Sequence, residues 1–296
     1  MKKIRLIIPY FGKLPKFFPY FLLTAKRNQK IDFLIYTDQN IDQFEILNAE
    51  NIEFKTLSFD DLRKKVQSKF DFEISLKTPY KLCDYKVAYG FIFEEELKGY
   101  DYWGFCDTDV LLGDIYQFLE EHSFFENDYA RYGLLGHLQI FKNSEEVNRI
   151  FMSGQGLNYR LDYHNVFTSG QNFIFDEAEG IQKLFEKSGF EQLQDKFFDD
   201  IDISHFSFRE YGEDEPKRYY SWSQKHGLKS INLIDGKIVI KHPLYTHFQK
   251  RTIECPEFEL VESFYVIPNK LVFGEELSIQ EIEEVTKNKF YWEYVK

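Results

Sequence analysis

Tyr102-Trp103-Gly104-Phe105-Cys106-Asp107-Thr108-Asp109-Val110-Leu111-Leu112-Gly113-Asp114 is the stretch on which the chain turns. A short apolar run, the mark of a buried strand, delivers two carboxylates one residue apart. On an extended backbone, positions i and i+2 project to the same side. Two unpaired carboxylates there repel, and burying them without a counter-ion is costly. A hard divalent cation removes both problems and can hold a diphosphate at the same spot. Alone, an Asp-x-Asp on a surface turn is weak evidence. Here the apolar run before it and Leu111-Leu112 after it set the pair at a core boundary.

Outward from that strand, the first half alternates strand and helix signals, which predicts an α/β sheet. Ile4 to Pro9 reads as the first strand, followed by the turn Tyr10-Phe11-Gly12-Lys13. A helix is expected over Lys16 to Asn28, with Pro15 near its first turn. Ile31 to Tyr36 and Ile52 to Leu57 read as strands, and Ser58 as the cap of a helix reaching about Ser68. Lys77 to Lys86 opens a further helix expected to run to about Leu97. The acidic pair then lies beyond a strand's C-terminal end, the edge where open α/β sheets bind ligands.

The second half is more mixed. Ala130 to Tyr132 and Leu138 to Lys142 read as strands, and Ser144 to Met152 as a helix. Ser169 to Glu177 reads as a turn and strand leading into a helix that ends near Ser188. Asp235-Gly236 between Ile231–Leu233 and Lys237–Lys241 is a strong hairpin signal. From Glu257 the tail alternates apolar and acidic residues and is expected to pack on the main domain.

Composition narrows the function classes. With 296 residues, 43% of them hydrophobic, a large core is readily supplied. The 32 Phe and 20 Tyr serve core packing first; surplus exposed rings would suit stacking on a base or sugar. A net charge of -12 argues against nucleic acid as a partner, although a few placed cations can still grip a phosphate. Cys83, Cys106 and Cys255 lie too far apart for a Cys-x-x-Cys zinc site and do not make a disulfide framework. The N-terminal apolar stretch is short for a signal peptide, and no run reaches the length of a membrane span. The expected location is the cytoplasm, with peripheral contact at the inner face of the membrane as a variant. Lys13, Lys16 and the aromatics from Phe17 to Phe21 are the candidate patch for that contact.

Several other groups can carry chemistry. His247 can complete a metal shell begun by two carboxylates, and Lys250 and Arg251 can neutralise phosphate oxygens. A solvated strand end would hold the same residues. Asp176-Glu177 either caps a helix or acts as a general base toward an acceptor hydroxyl. Pro9, Tyr10 and Phe11 allow backbone and an aromatic ring to approach a base, and Asp38 can accept from a uracil ring or ribose. Lys81, Asp84 and Lys86 lie about a helical turn apart; Lys86 can reach a phosphate, or Lys and Asp can pair on a solvated face.

Taken together, the motifs resemble GT-A glycosyltransferases, and more closely a bacterial family found with capsule and surface-polysaccharide genes. The likeness is carried by Ile8-Pro9-Tyr10-Phe11-Gly12, the block Pro79 to Asp84, and Gly99 to Gly104 leading into the acidic pair. Phe175-Asp176-Glu177 and His247 to Arg251 complete it. Such a resemblance implies a GT-A-like mixed central sheet flanked by helices, with a mixed α+β acceptor half. It implies one catalytic domain over residues 1–251, split into a nucleotide-sugar half (1–115) and an acceptor half (116–251). Residues 252–296 would form an extension packed on it. It further implies Mn²⁺ or Mg²⁺ on Asp109, Asp107 and His247, with Asp107 and Thr108 also near the donor, which would be a UDP-sugar. The acceptor would be a glycan hydroxyl, lipid-linked in some systems, and the transferred group a hexosyl unit (galactosyl or galactofuranosyl), moved with inversion.

Two rivals are worth weighing. Asp107-Thr108-Asp109-Val110-Leu111 also fits the first motif of haloacid-dehalogenase-type phosphatases, with Asp199-Asp200 as a later acidic motif. That motif normally follows the first strand, whereas about a hundred residues of α/β signal precede it here. A non-catalytic sugar-binding module explains the aromatics but not the acidic pair together with His247, Lys250 and Arg251.

Overall fold

Strand β1 (Ile4–Pro9) forms where its apolar run predicts, between β2 and β4 in the main sheet. The computed structural model describes residues 1–287 except 48, 155, 156, 215 and 275. β1 pairs in parallel with β2 (Ile31–Thr37), and β2 with β3 (Ile52–Thr56). On its other side β1 pairs in parallel with β4 (Tyr102–Cys106), all five residues of which are buried. Helix α1 (Phe18–Arg27) connects β1 to β2, with Pro19 in its first turn and Lys26 and Arg27 in its last. Ser58 caps α2 (Phe59–Gln67) by accepting the Asp61 amide at 3.1 Å.

After β4 the chain leaves the main sheet. β5 (Val110–Leu112) belongs to a separate ribbon, while β6 (Arg131–Tyr132) and β7 (Leu138–Lys142) return to the sheet, β7 antiparallel to β4. With β8 (Gln192–Leu193) the order is β3-β2-β1-β4-β7-β6-β8, a mixed sheet of seven strands. The expected class, α/β with a mixed central sheet flanked by helices, is the one found.

The ribbon brings together distant sequence. Strand β9 (Asp199–Asp200) belongs to it; β10 (Lys217–Ser223), β11 (Gly227–Ile234) and β12 (Lys237–Lys241) enter a five-stranded antiparallel sheet. β13 (Tyr245–His247) lies between β5 and β9 in the ribbon. β14 (Ser263–Ile267) and β15 (Lys270–Phe273) complete the five-stranded sheet, β14 pairing directly with β10. Two strands from beyond residue 251 are thus built into a sheet begun before it. The hairpin at Asp235-Gly236 forms with both residues at positive φ (49° and 72°), as a tight two-residue turn demands.

Three expectations are corrected. The helix expected from Lys77 to Leu97 is broken into short turns, Pro79–Lys81, Leu82–Tyr85, Lys86–Ala88 and Tyr89–Ile92. It is buried on several sides, and Gly90 lies so close to Trp103 and Asn148 that a Cβ would meet them at 2.5 Å. No strand forms over 172–175: Ile174 is 55% exposed with φ 55°, and Asp84 takes the Phe173 and Phe175 amides that a strand partner would take. The aromatic patch at Phe17 to Phe21 does not face a membrane, because Phe17, Phe18, Tyr20 and Phe21 are all core residues. No helix among the described residues is long and apolar enough to cross a membrane.

Candidate metal centre and cleft

Asp107 and Asp109 lie just beyond the C-terminal end of β4, as expected. β4 ends at Cys106 and β5 begins at Val110, so the pair spans the bend where the chain passes from sheet to ribbon. That bend is pinned from both sides. The Asp107 amide donates to the His137 carbonyl at 2.8 Å, and the Asp109 carbonyl accepts from the Phe248 amide at 3.1 Å. α1 holds the strand beyond it: Thr24 Oγ1 accepts the Leu112 amide at 3.2 Å, and Asn28 donates to the Gly113 carbonyl at 2.8 Å.

Ribbon register then sets the third donor. His247 on β13 stands opposite Val110 on β5 and opposite Asp200 on β9. Its Nε2 lies 3.5 Å from Asp109 Oδ1, and its Nδ1 lies 2.8 Å from Asp200 Oδ1. Asp107, Asp109 and His247 each offer one ligand atom, and these atoms lie within 4.8 Å of one another. Two carboxylates and an imidazole form a mixed oxygen–nitrogen set that suits Mn²⁺ or Mg²⁺. With Asp200 engaging Nδ1, the Nε2 edge is the one turned toward the carboxylates, so the residues present fit a cation.

These groups lie in a cleft of about 1030 Å³ at the C-terminal end of β1 and β4. Pro9, Tyr10, Lys16, Tyr80, Thr108, Asp176, Glu177 and Lys250 line it. Lys250 and Lys16 are exposed, and the Lys250 ammonium lies 5.5 Å from the Tyr80 ring centre.

Asp176 is 3% exposed and shares the Lys86 ammonium with Asp107: Lys86 Nζ is 3.1 Å from Asp176 Oδ2 and 2.7 Å from Asp107 Oδ1. Asp176 Oδ1 has no hydrogen-bond partner among the described residues. Burial pushes the Asp176 carboxyl up, to about 6, against the pull of Lys86. Asp107 goes the other way, since burial is outweighed by Lys86 and the two histidines. Gln139, fully buried, donates to the Leu135 and Asp176 carbonyls at 3.1 and 2.7 Å, locking the Asp176 loop to the segment that carries His137. Gly136 is required there because a Cβ would come within 2.5 Å of Asp176 Oδ2.

The Asp176 carboxyl makes stability depend on pH with a definite sign. Its folded-state pKa lies above the ordinary 3.8, so its contribution is fully present below about 4 and is lost as pH rises through about 6. Denaturant titrations of metal-free protein across that window should show wild-type stability falling relative to Asp176→Asn. A difference constant between pH 4 and 7 would contradict the assignment.

Several expected donor contacts are placed elsewhere. Lys81 and Asp84 are buried and paired at 2.7 Å; Lys81 also donates to the Val166 and Gln171 carbonyls. They brace the 166–175 loop rather than face a ligand, because their polar atoms are spent inside the fold. Phe11 is a core residue stacked edge-on against Phe59. Asp38 accepts from the Gly12 amide and Gln39, tying the turn after β1 outside the cleft lining. Arg251 reaches the cleft surface, but its guanidinium donates to the carbonyls of Asp202, His205 and Phe206, so it is not a spare phosphate cation. Lys86 likewise answers to Asp107 and Asp176 rather than to a phosphate.

Sequence reasoning missed His137, Gln139 and Gln249, and placed Asp200 only within the phosphatase alternative. His137 has its ring 3.6 Å from that of His247, and Gln249 donates to Asp200 at 3.1 Å. Burial and the neighbouring His247 push the His137 imidazole down to about 4. For His247, burial is overcome by Asp109 and Asp200, which hold it up at about 9.

A family model described as "Family of unknown function (DUF6625)" matches residues 6–275. The chain belongs to that family. The match extends past Arg251 through β14 and β15, the strands built into the five-stranded sheet. No curated protein matches the sequence. Among solved structures, mouse xyloside xylosyltransferase 1 in its apo form is similar at 9% identity and a TM-score of 0.44, over 84% of this chain and 98% of that one. The mannosyltransferase Ktr4p of S. cerevisiae is similar at 13% identity and a TM-score of 0.28, over 45% and 39%. Core-mannan synthase A of Aspergillus fumigatus, in a Mn/GDP form, gives 13% and 0.27, over 46% and 42%.

Proposed function

We propose that the protein is a metal-dependent glycosyltransferase that moves a hexosyl group from a UDP-sugar to a hydroxyl of a glycan acceptor. What supports this is the convergence of Asp107, Asp109 and His247 at the strand-end edge of a mixed α/β sheet, in a cleft that also presents Asp176. The resemblance of five sequence motifs to those of capsule-associated GT-A enzymes supports the same reading.

Asp107, Asp109 and His247 would hold the metal, which supplies Lewis-acid neutralisation of the leaving diphosphate. Lys250 and Lys16 add mobile positive charge at the rim for the same anion. Pro9 and Tyr10 offer a backbone edge and a ring for the nucleobase. An acceptor hydroxyl has a pKa far above 7, so a carboxylate must take its proton as attack proceeds. Asp176 is the nominee, with Glu177 beside it. Burial keeps the basicity of Asp176 above that of a solvated carboxylate, and the charged Lys86 holds its Oδ2 in place. In-line attack on the face opposite the diphosphate then inverts the anomeric centre.

Asp176→Asn should leave UDP affinity unchanged and lower kcat by about 10²-fold or more, with the rising limb of the wild-type pH profile near 6 absent from the variant. Equal loss of donor affinity would make Asp176 a binding residue. The whole proposal is tested by incubating the protein with a panel of UDP-sugars and glycan acceptors, with Mn²⁺ or a chelator. Metal-dependent transfer from at least one donor is expected; phosphate release from sugar phosphates without any acceptor would favour the phosphatase instead.

A further inference from the structure

His247 belongs to two donor sets, not one. Besides the set with Asp107 and Asp109, His137, Asp200 and His247 also offer ligand atoms within 4.8 Å of one another. Its chemistry is different: two imidazoles and one carboxylate, in place of one imidazole and two carboxylates. His137 stands directly before β7, its ring 3.6 Å from that of His247 with the planes inclined at 33°. It is only 8% exposed, and its Nδ1 has no hydrogen-bond partner among the described residues. Leaving a buried nitrogen unpartnered is costly, and a bound cation satisfies it. Asp200 is fixed opposite His247 by strand register and further held by Gln249.

We propose that His137, Asp200 and His247 form a second cation site, selective for zinc, which excludes the metal of the Asp107–Asp109–His247 set. Three protein ligands plus a solvent molecule is a coordination zinc accepts, and a nitrogen-rich set favours it over Mn²⁺ and Mg²⁺. Exclusion follows from the imidazole itself. A neutral imidazole has one free lone pair; its other nitrogen carries the proton. When His247 binds zinc through the nitrogen that faces Asp200, its Nε2 is protonated and cannot serve the cation held by Asp109. The proton that Nδ1 donates to Asp200 in the other state moves to Nε2, so no net redox or group-transfer step is involved. Because the two rings lie 3.6 Å apart with planes only 33° from parallel, one imidazole turns about its Cβ–Cγ bond to aim its lone pair at the shared ion, and zinc occupancy then switches off the outer site.

Zinc titration of the purified full chain against a chromophoric chelator tests this without reference to any activity. One zinc per chain is expected. Asp109→Asn should retain it, whereas His137→Gln should weaken it by about 10–100-fold and Asp200→Asn similarly. Added zinc should raise the apparent Mn²⁺ dissociation constant of the wild type. Loss of zinc in Asp109→Asn with retention in His137→Gln would place the ion in the outer site and overturn the proposal. Because His137 is buried, Co²⁺ loaded on wild type gives an independent readout. An intense visible band of four-coordinate, nitrogen-bound Co²⁺ is expected, while a weak six-coordinate spectrum would refute the site. Failure of the glycosyltransferase assay would leave both metal readouts standing.

Discussion

Replacing Asp109 with alanine should lower transfer by on the order of 10³-fold while the protein stays folded. Its side chain is 39% exposed, and its ion-pair contact is to His247 at 3.5 Å, so little packing is lost. What disappears is one of two carboxylates able to hold a divalent cation between His247 and a diphosphate. If the protein acts as proposed, the leaving group would depart without that neutralisation, and several kcal/mol of transition-state stabilisation would go with it. Thermal melting of the variant should match wild type within a few degrees. Unchanged transfer by a folded Asp109→Ala protein would remove the metal from the account.

Asp84→Asn should act in the opposite way, through stability. The Asp84 carboxylate is fully buried, pairs with Lys81 at 2.7 Å and accepts the amides of Phe173 and Phe175 at 3.0–3.1 Å. Neutralising it leaves the 2%-exposed Lys81 without its counter-ion and turns an amide donor toward backbone donors. Breaking a buried pair in this manner costs about 3–5 kcal/mol. Since residues 173–175 lead into Asp176, the folded fraction should also show reduced kcat with donor affinity retained. Denaturant unfolding measures the first effect; a loss below about 1 kcal/mol would show that the pair is not the brace of this loop.

Much of the N-terminal part of the sheet is legible in the sequence because its signals are local. Alternating or continuous apolar runs bounded by turns predicted β1, β2, β3 and β4, and Ser58 caps α2 as its position implies. Asp107, Asp109 and His247 stand out by residue type, and they come together. The illegible parts depend on contacts across the sequence. Lys81 and Asp84 look like a solvated helix pair, and only tertiary burial turns them into a brace. Arg251 looks like a phosphate ligand, yet the carbonyls of the 202–206 loop claim it. His137 has no local mark, and Asp200 shows only as one of an adjacent acidic pair with nothing to tie it to His247. They reach the site through strand pairing, one before β7 and one at the end of β9.

In the proposed function this cleft grips a nucleoside diphosphate through a cation held by Asp107, Asp109 and His247. Calorimetric titration of the protein with UDP, once in Mn²⁺ and once in chelator, tests it most directly. Tight binding in Mn²⁺ that is lost in chelator, and lost in Asp109→Ala under both conditions, is the predicted result. UDP binding of equal strength with and without metal, or none in either, would contradict it.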